Sequence, residues 1–283
     1  MTVKAVCIGI NKYKDSPLRG CVNDVMDMYA FLTGPGKVPK DNVRLLLDER
    51  ATSEAIKSRA AWLRAGAVAG DHLIFHISGH GTRMRRRHHG NTLSSQVESC
   101  LVPIDFDWSN EDSFLSDEDL HIVLDRMPFG VDLTFIFDVC HAGGMRDLSM
   151  PKDPVEMVQM VREEGRHTKA RYLAPPLDIE MRHRDRELPV RKLASWLQPD
   201  YSEHHRVLAA CQEDQTAADS TFGMNGRPNG AFTWSLLQSL QQGEGRTWLQ
   251  VVEDARKLLK DDGFAQVPVL RAPPVAINSY PLH

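Results

Sequence analysis

The chain of 283 residues predicts an α/β fold with a mostly parallel central sheet, and three observations carry that prediction. Short apolar runs of strand length alternate with amphipathic stretches of helix length. Strands lead into helices and then into further strands, an order that right-handed crossovers satisfy in a parallel sheet. Hydrophobic residues make up 42% of the chain, enough to fill a core between layers.

The elements follow in order. Val3–Ile10 reads as a buried strand. Asn23–Leu32 sets Val25, Met28, Tyr29 and Leu32 on one helical face, and Thr33-Gly34-Pro35-Gly36 stops it. Val43–Leu47 is a second strand. Thr52 or Ser53, with Glu54 just inside, starts a helix to about Ala67. The strand His72–Ile77 runs directly into Ser78-Gly79-His80-Gly81. Residues 82–110, polar apart from Cys100–Ile104, read as a hairpin and loops at the sheet's edge. Ser116 caps a helix to about Arg126, with Asp117 and Glu118 suited to the positive end of its dipole. Val131–Val139 is the fourth core strand. Arg206–Cys211 (strand), Phe232–Leu240 and Thr247–Leu259 (helices) and Val267–Leu270 (strand) complete the pattern.

Residues 146–192 differ from the rest: 20 of these 47 residues are charged and five are Pro, a composition expected of a mobile insertion or linker within a single domain spanning 1–283. With 34 Lys and Arg against 38 Asp and Glu, the net charge of -4 offers no general attraction for nucleic acid or an anionic membrane. The run Arg85-Arg86-Arg87-His88-His89 reads as a solvated loop. No apolar run reaches membrane-spanning length and the chain starts on a strand, so a soluble, cytoplasmic protein is expected. Five cysteines, an odd number without Cys-x-x-Cys spacing, suggest neither a disulfide framework nor a zinc cage.

Two polar residues stand where strands end: His80 in Ser-Gly-His-Gly, and Cys140 in Asp138-Val139-Cys140-His141-Ala142-Gly143. Active sites of open α/β sheets collect at the carboxyl ends of strands. If the two strands are neighbours, the imidazole can activate the thiol as a nucleophile and then protonate a leaving amine. The N–H groups of Gly79, Gly81 and Cys140 are candidate oxyanion donors. Asp214 and Asp219 could shape a cleft.

With these residues in place, the chain resembles the metacaspases and their bacterial relatives, the orthocaspases, in the caspase-like cysteine peptidase clan. The likeness covers most of the chain outside 146–192. It rests on Gly9-Ile10-Asn11, the stretch Leu18 to Val25 (LRGCVNDV), Ser78 to Gly81, Glu98 to Asp105 (ESCLVPID), Leu115 to Leu120 (LSDEDL), Asp138 to Gly143 (DVCHAG), Ala210 to Asp219 (ACQEDQTAAD) and Gly230 to Thr233 (GAFT).

The resemblance implies a caspase-like three-layer sandwich with His80 as general acid/base and Cys140 as nucleophile. It implies a pocket for basic side chains lined by Asp24, Ser78 and Asp138, and a calcium site at Asp105, Asp117, Glu118 and Asp147, where Glu118 departs from the usual Asp. Val139 departs from the common small residue before the nucleophile. The expected activity is peptide cleavage after Arg or Lys, calcium-stimulated, with self-cleavage inside 146–192, and the expected partners are peptide substrates and a regulatory protein. A caspase selective for Asp is disfavoured, because two pocket carboxylates would repel an acidic side chain. The alternatives are a catalytically silent interaction module and a cysteine amidohydrolase.

Overall fold

The computed structural model describes residues 1–35, 37–88, 95–110, 113–116, 120, 127–140, 168–179, 187–188, 205–212, 215–220, 227–243 and 245–281. In chain order the strands are β1 (Val3–Gly9), β2 (Val43–Leu47), β3 (His72–Ser78), β4 (Gly81–His88), β5 (Ser95–Leu101), β6 (Leu115–Ser116), β7 (Asp132–Asp138), β8 (Thr168–Ala170), β9 (Glu187–Leu188), β10 (His205–Ala209), β11 (Ala218–Ser220), β12 (Asn229–Gly230) and β13 (Val269–Arg271). The helices are α1 (Cys21–Leu32), α2 (Ser53–Arg64), α3 (Ala231–Leu240), α4 (Trp248–Asp261) and the short α5 (Pro274–Ile277).

Six strands form the central sheet in the spatial order β13, β10, β7, β3, β1, β2, parallel throughout except for β13 at one edge. Strand side chains alternate between faces. Along β1, Val6 and Ile8 join one core cluster and Ala5 and Cys7 the other. Ile56, Ala60 and Leu63 of α2 cover the first face. Val25 and Met28 of α1, Phe232 and Leu236 of α3, and Val251 and Val252 of α4 cover the second. The result is the three-layer α/β sandwich that the family resemblance implies.

Local side-chain caps account for two of the five described helix starts. Thr52 accepts the Ala55 N–H at 3.2 Å and starts α2, and Thr247 with Gln250 forms a capping box on α4. Helix α1 begins two residues before the expected Asn23. It has no side-chain cap of its own, and Asn11 reaches across to accept the Cys21 N–H at 2.9 Å.

Two stretches differ from expectation. Within 82–110 the hairpin of β4 and β5 forms, but it belongs to a separate sheet ordered β6, β5, β4, β9 instead of edging the central one. Ser116, where a helix was expected to start, closes β6, paired with Cys100. The rest of that expected helix lies outside the described residues except Leu120, which is helical and buried. Within 146–192 the described stretch 168–179 is built into the fold, because β8 pairs with β11. Among the described residues no helix is long and apolar enough to cross a membrane.

One buried histidine sets a pH dependence. His76, in the middle of β3, is fully buried and its Nε2 lies 3.4 Å from Thr233 Oγ1. Burial lowers its pKa to about 4. The unfolded chain therefore binds an extra proton below about 6.5, so stability from this residue is full near neutrality and lost as pH falls from about 6.5 to 4, roughly 3 kcal/mol in all. His80 acts in the same direction, and Asp138, whose carboxyl burial pushes up, acts in the opposite one. His76→Leu should therefore narrow the fall in Tm between pH 7 and pH 5; an unchanged fall would count against this residue.

Candidate active site

Strands β3 and β7 are neighbours, and Ser78 pairs directly with Asp138. His80 and Cys140 each lie two residues beyond that pair, so the sheet brings imidazole and thiol to one edge. Residue 81 has to be glycine here: a Cβ on it would sit 2.1 Å from the Cys140 carbonyl oxygen.

His80 is held at several points. Its N–H donates to the Tyr13 hydroxyl at 3.0 Å, its carbonyl accepts the Val102 N–H at 3.1 Å, and the Tyr13 ring packs on the imidazole with centroids 4.6 Å apart. Nε2 lies 2.8 Å from the Ser16 carbonyl oxygen. A carbonyl only accepts, so Nε2 carries the hydrogen and Nδ1 is left as the basic atom of the neutral ring. Nδ1 is buried and has no hydrogen-bond partner. Burial lowers the His80 pKa to about 4, against the opposing pull of the Ser16 and Arg171 main chain, so the ring is neutral at physiological pH. Cys140 is fully buried, and its Sγ donates to the Gln215 carbonyl at 3.4 Å.

The expected pocket residues Asp24, Ser78 and Asp138 come together below this edge, and they are not empty-handed. The guanidinium of Arg171, from the charged stretch 146–192, fills the space between them and is itself fully buried. Nη1 donates to Ser78 Oγ at 2.8 Å and to the Asp138 carbonyl at 3.0 Å, with Asp138 Oδ1 2.9 Å away as an ion pair. Nη2 donates to Asp24 Oδ2 at 2.8 Å and to Asp219 Oδ1 at 2.9 Å. Every Nη hydrogen is thus matched; Nε has no partner.

The acids are themselves positioned. Asp24 Oδ1 accepts the Gly230 N–H at 2.8 Å and Asp138 Oδ2 accepts the Thr233 N–H at 2.9 Å, both at the start of α3. Asp219 Oδ1 accepts the Gly20 N–H at 3.0 Å and Oδ2 the Arg19 N–H at 2.8 Å. Asp219 is the third wall of the pocket. Its sequence signal was only its place in the ACQEDQTAAD stretch, because β11 approaches β3 and β7 solely through tertiary packing.

The main chain around Arg171 lies as an extended strand across the site. Lys169 pairs antiparallel with Asp219, and the Arg171 N–H donates to the Ala217 carbonyl at 3.0 Å. The Arg171 carbonyl accepts the Gly81 N–H at 2.9 Å, and the Leu173 N–H donates to the Gly81 carbonyl at 2.9 Å. Of the other candidate oxyanion donors, Gly79 is committed elsewhere, its N–H donating to the Asp138 carbonyl at 3.3 Å. Of the four implied calcium ligands, Asp105 is described: its Oδ1 accepts the Ser53 N–H at 2.8 Å at the start of α2. Asp117, Glu118 and Asp147 lie outside the described residues, as does Asp214.

A parallel sheet whose strand ends present an imidazole and a thiol defines a caspase-like cysteine peptidase fold. Caspase-1 from Spodoptera frugiperda is similar over 95% of this chain and 86% of that one, with a TM-score of 0.58 at 12% identity. A protein from Geobacter sulfurreducens gives a TM-score of 0.67 at 20% identity, covering 100% of this chain and 98% of its own.

Sequence comparison narrows the class. Residues 3–149 match the family model of the metacaspase peptidase C14 domain. Metacaspase-2 of Trypanosoma brucei brucei is 32% identical over 96% of this chain and 73% of its own length, and metacaspase-3 of Trypanosoma cruzi is 32% identical over 96% and 71%. Another Trypanosoma brucei brucei relative, 29% identical over 95% of this chain and 71% of its own, is named inactive metacaspase-4. The chain belongs to the metacaspase family of cysteine peptidases.

Proposed function

We propose that the protein is a cysteine endopeptidase that cleaves after Arg, and less readily after Lys, with Cys140 as nucleophile and His80 as general acid/base. The observation that carries this reading is the seat of Arg171, its guanidinium among three carboxylates while its carbonyl accepts the Gly81 N–H. A carbonyl so held is polarised toward attack. Cys140 Sγ passes its proton to His80 Nδ1 and bonds to the carbonyl carbon, and the oxyanion is held by the Gly81 N–H. Collapse breaks the C–N bond as Nδ1 returns the proton to the leaving amine. Water, deprotonated by the same nitrogen, then hydrolyses the thioester.

The first substrate in this reading is the chain itself, cut between Arg171 and Tyr172. Until that cut, residues 168–173 fill the cleft and the uncut chain is a zymogen. A cleft that takes an extended strand of this length favours a peptidase over an amidohydrolase acting on a small amide. A time course of purified protein should yield a fragment beginning at Tyr172, and Arg171→Gln should remove that fragment. An intact chain in a preparation that hydrolyses Arg peptides would defeat self-cleavage while sparing the peptidase reading.

Calcium belongs to this reading as an activator held by Asp105, Asp117, Glu118 and Asp147, supported here by the chemistry of the donors, since carboxylate oxygen suits a hard cation. Arg-peptide hydrolysis is expected to rise in millimolar calcium and fall in chelator; equal rates would remove calcium from the scheme. A cytoplasmic location accords with the scattered, odd-numbered cysteines.

A further inference from the structure

Cys140 is not alone at the sheet edge. Strands β7 and β10 are parallel neighbours with Phe137 opposite Ala209, and the Ala210 N–H donates to the Phe137 carbonyl at 2.9 Å, which carries the pairing one residue further. By that register Cys211 stands beside Val139, one residue from Cys140. Neighbouring strands lie about 4.8 Å apart and rise about 3.3 Å per residue. Such an offset falls inside the Cα separation of roughly 4.4–6.8 Å that a disulfide spans.

The side chains converge as well. Cys140 Sγ and Cys211 Sγ both donate to one oxygen, the Gln215 carbonyl, at 3.4 and 3.3 Å. Both residues pack in the same core cluster. The peptidase scheme uses Cys140 and leaves Cys211 without a task.

We infer that Cys211 is a resolving thiol, which captures Cys140 in a reversible disulfide when a peroxide oxidises the nucleophile. In the first step the Cys140 thiolate attacks hydrogen peroxide; an S–O bond forms, the O–O bond breaks and hydroxide leaves. In the second the Cys211 thiolate attacks the sulfenic sulfur; the S–S bond forms, the S–O bond breaks and a second hydroxide leaves. With the two thiol protons, the products are the disulfide and two waters, and the peroxide is the only oxidant needed. Without a resolving thiol, a sulfenic acid is exposed to further oxidation to sulfinic acid, which thiol reductants do not reverse. The inference rests on the reading of Cys140 as a reactive thiol, but its readout by mass is independent of peptidase activity.

The test treats the full chain, intact and self-processed, with hydrogen peroxide, quenches with catalase, blocks remaining thiols and maps peptides by mass. The expected product is a peptide pair joined through Cys140 and Cys211, lighter by two hydrogens and released by dithiothreitol. In Cys211→Ser, which keeps a donor for Gln215, Cys140 should instead proceed to sulfinic acid. After dithiothreitol, Arg-peptide hydrolysis should recover to within about twofold in the wild type and stay below about a tenth in Cys211→Ser. Absence of the joined pair from both forms of the wild type would overturn the inference, as would equal sulfinic acid in wild type and variant. A chain that forms the pair yet hydrolyses no Arg peptide would leave this inference standing and defeat the proposed function instead.

Discussion

Cys140→Ala is expected to leave the chain whole at Arg171 and to lower hydrolysis of added Arg peptides by about 10⁴-fold or more, because the acyl intermediate of the proposed scheme forms on the Cys140 sulfur. His80→Ala should do nearly the same, and the double variant should be little worse, since the two groups act in one step. Neither change should unfold the protein, because both side chains lie beyond strand ends. The measurement is paired: the self-cleavage time course and peptide turnover, with circular dichroism as a check on folding. His80→Ala retaining turnover within about tenfold of wild type would show the proton going elsewhere.

Asp138→Ala is expected to reduce kcat/KM for Arg peptides by at least about 30-fold, from the roughly 2–5 kcal/mol typical of breaking a buried charge pair. The loss should exceed that for Lys peptides. A guanidinium uses both nitrogens at once here, with Ser78 and Asp138 around Nη1 and Asp24 and Asp219 around Nη2. An ammonium concentrates its donors on one shorter-reaching atom and leaves part of that set unmatched. Gly230 closes the same space, since a Cβ there would come within 2.4 Å of Asp138 Oδ2. Wild-type cleavage after Asp that is faster than after Arg would overturn the pocket assignment.

How far the sequence reached depended on how local each feature is. His80 and Cys140 stand out because each follows an apolar strand and is bracketed by turn residues, a pattern complete within a dozen positions. That β3 and β7 are adjacent is topology, and the sequence offered it only as a condition. Asp24, Ser78 and Asp138 were legible through the family likeness, whereas Asp219 becomes a pocket wall only because β11 folds alongside the loop at Arg19 and Gly20. Arg171 was one of eleven basic residues in 146–192, and nothing in composition separates it from its neighbours. Its seat is decided by the register of β8 on β11, in which a slip of one residue would turn its side chain out of the pocket.

The resident guanidinium also bears on how the pocket comes to exist. Three carboxylates crowded out of water repel one another, and a buried ion left without its counter-charge typically costs about 3–5 kcal/mol. Arg171 supplies the counter-charge within the same chain, before any foreign substrate arrives, so the acidic walls assemble around it as around a casting core. In the proposed scheme, removal of that core after the cut would leave a cavity already shaped and charged for the next arginine. Protein made without it, as Arg171→Gln, should reach the same walls more slowly on refolding, with free arginine in the buffer able to stand in for the missing side chain.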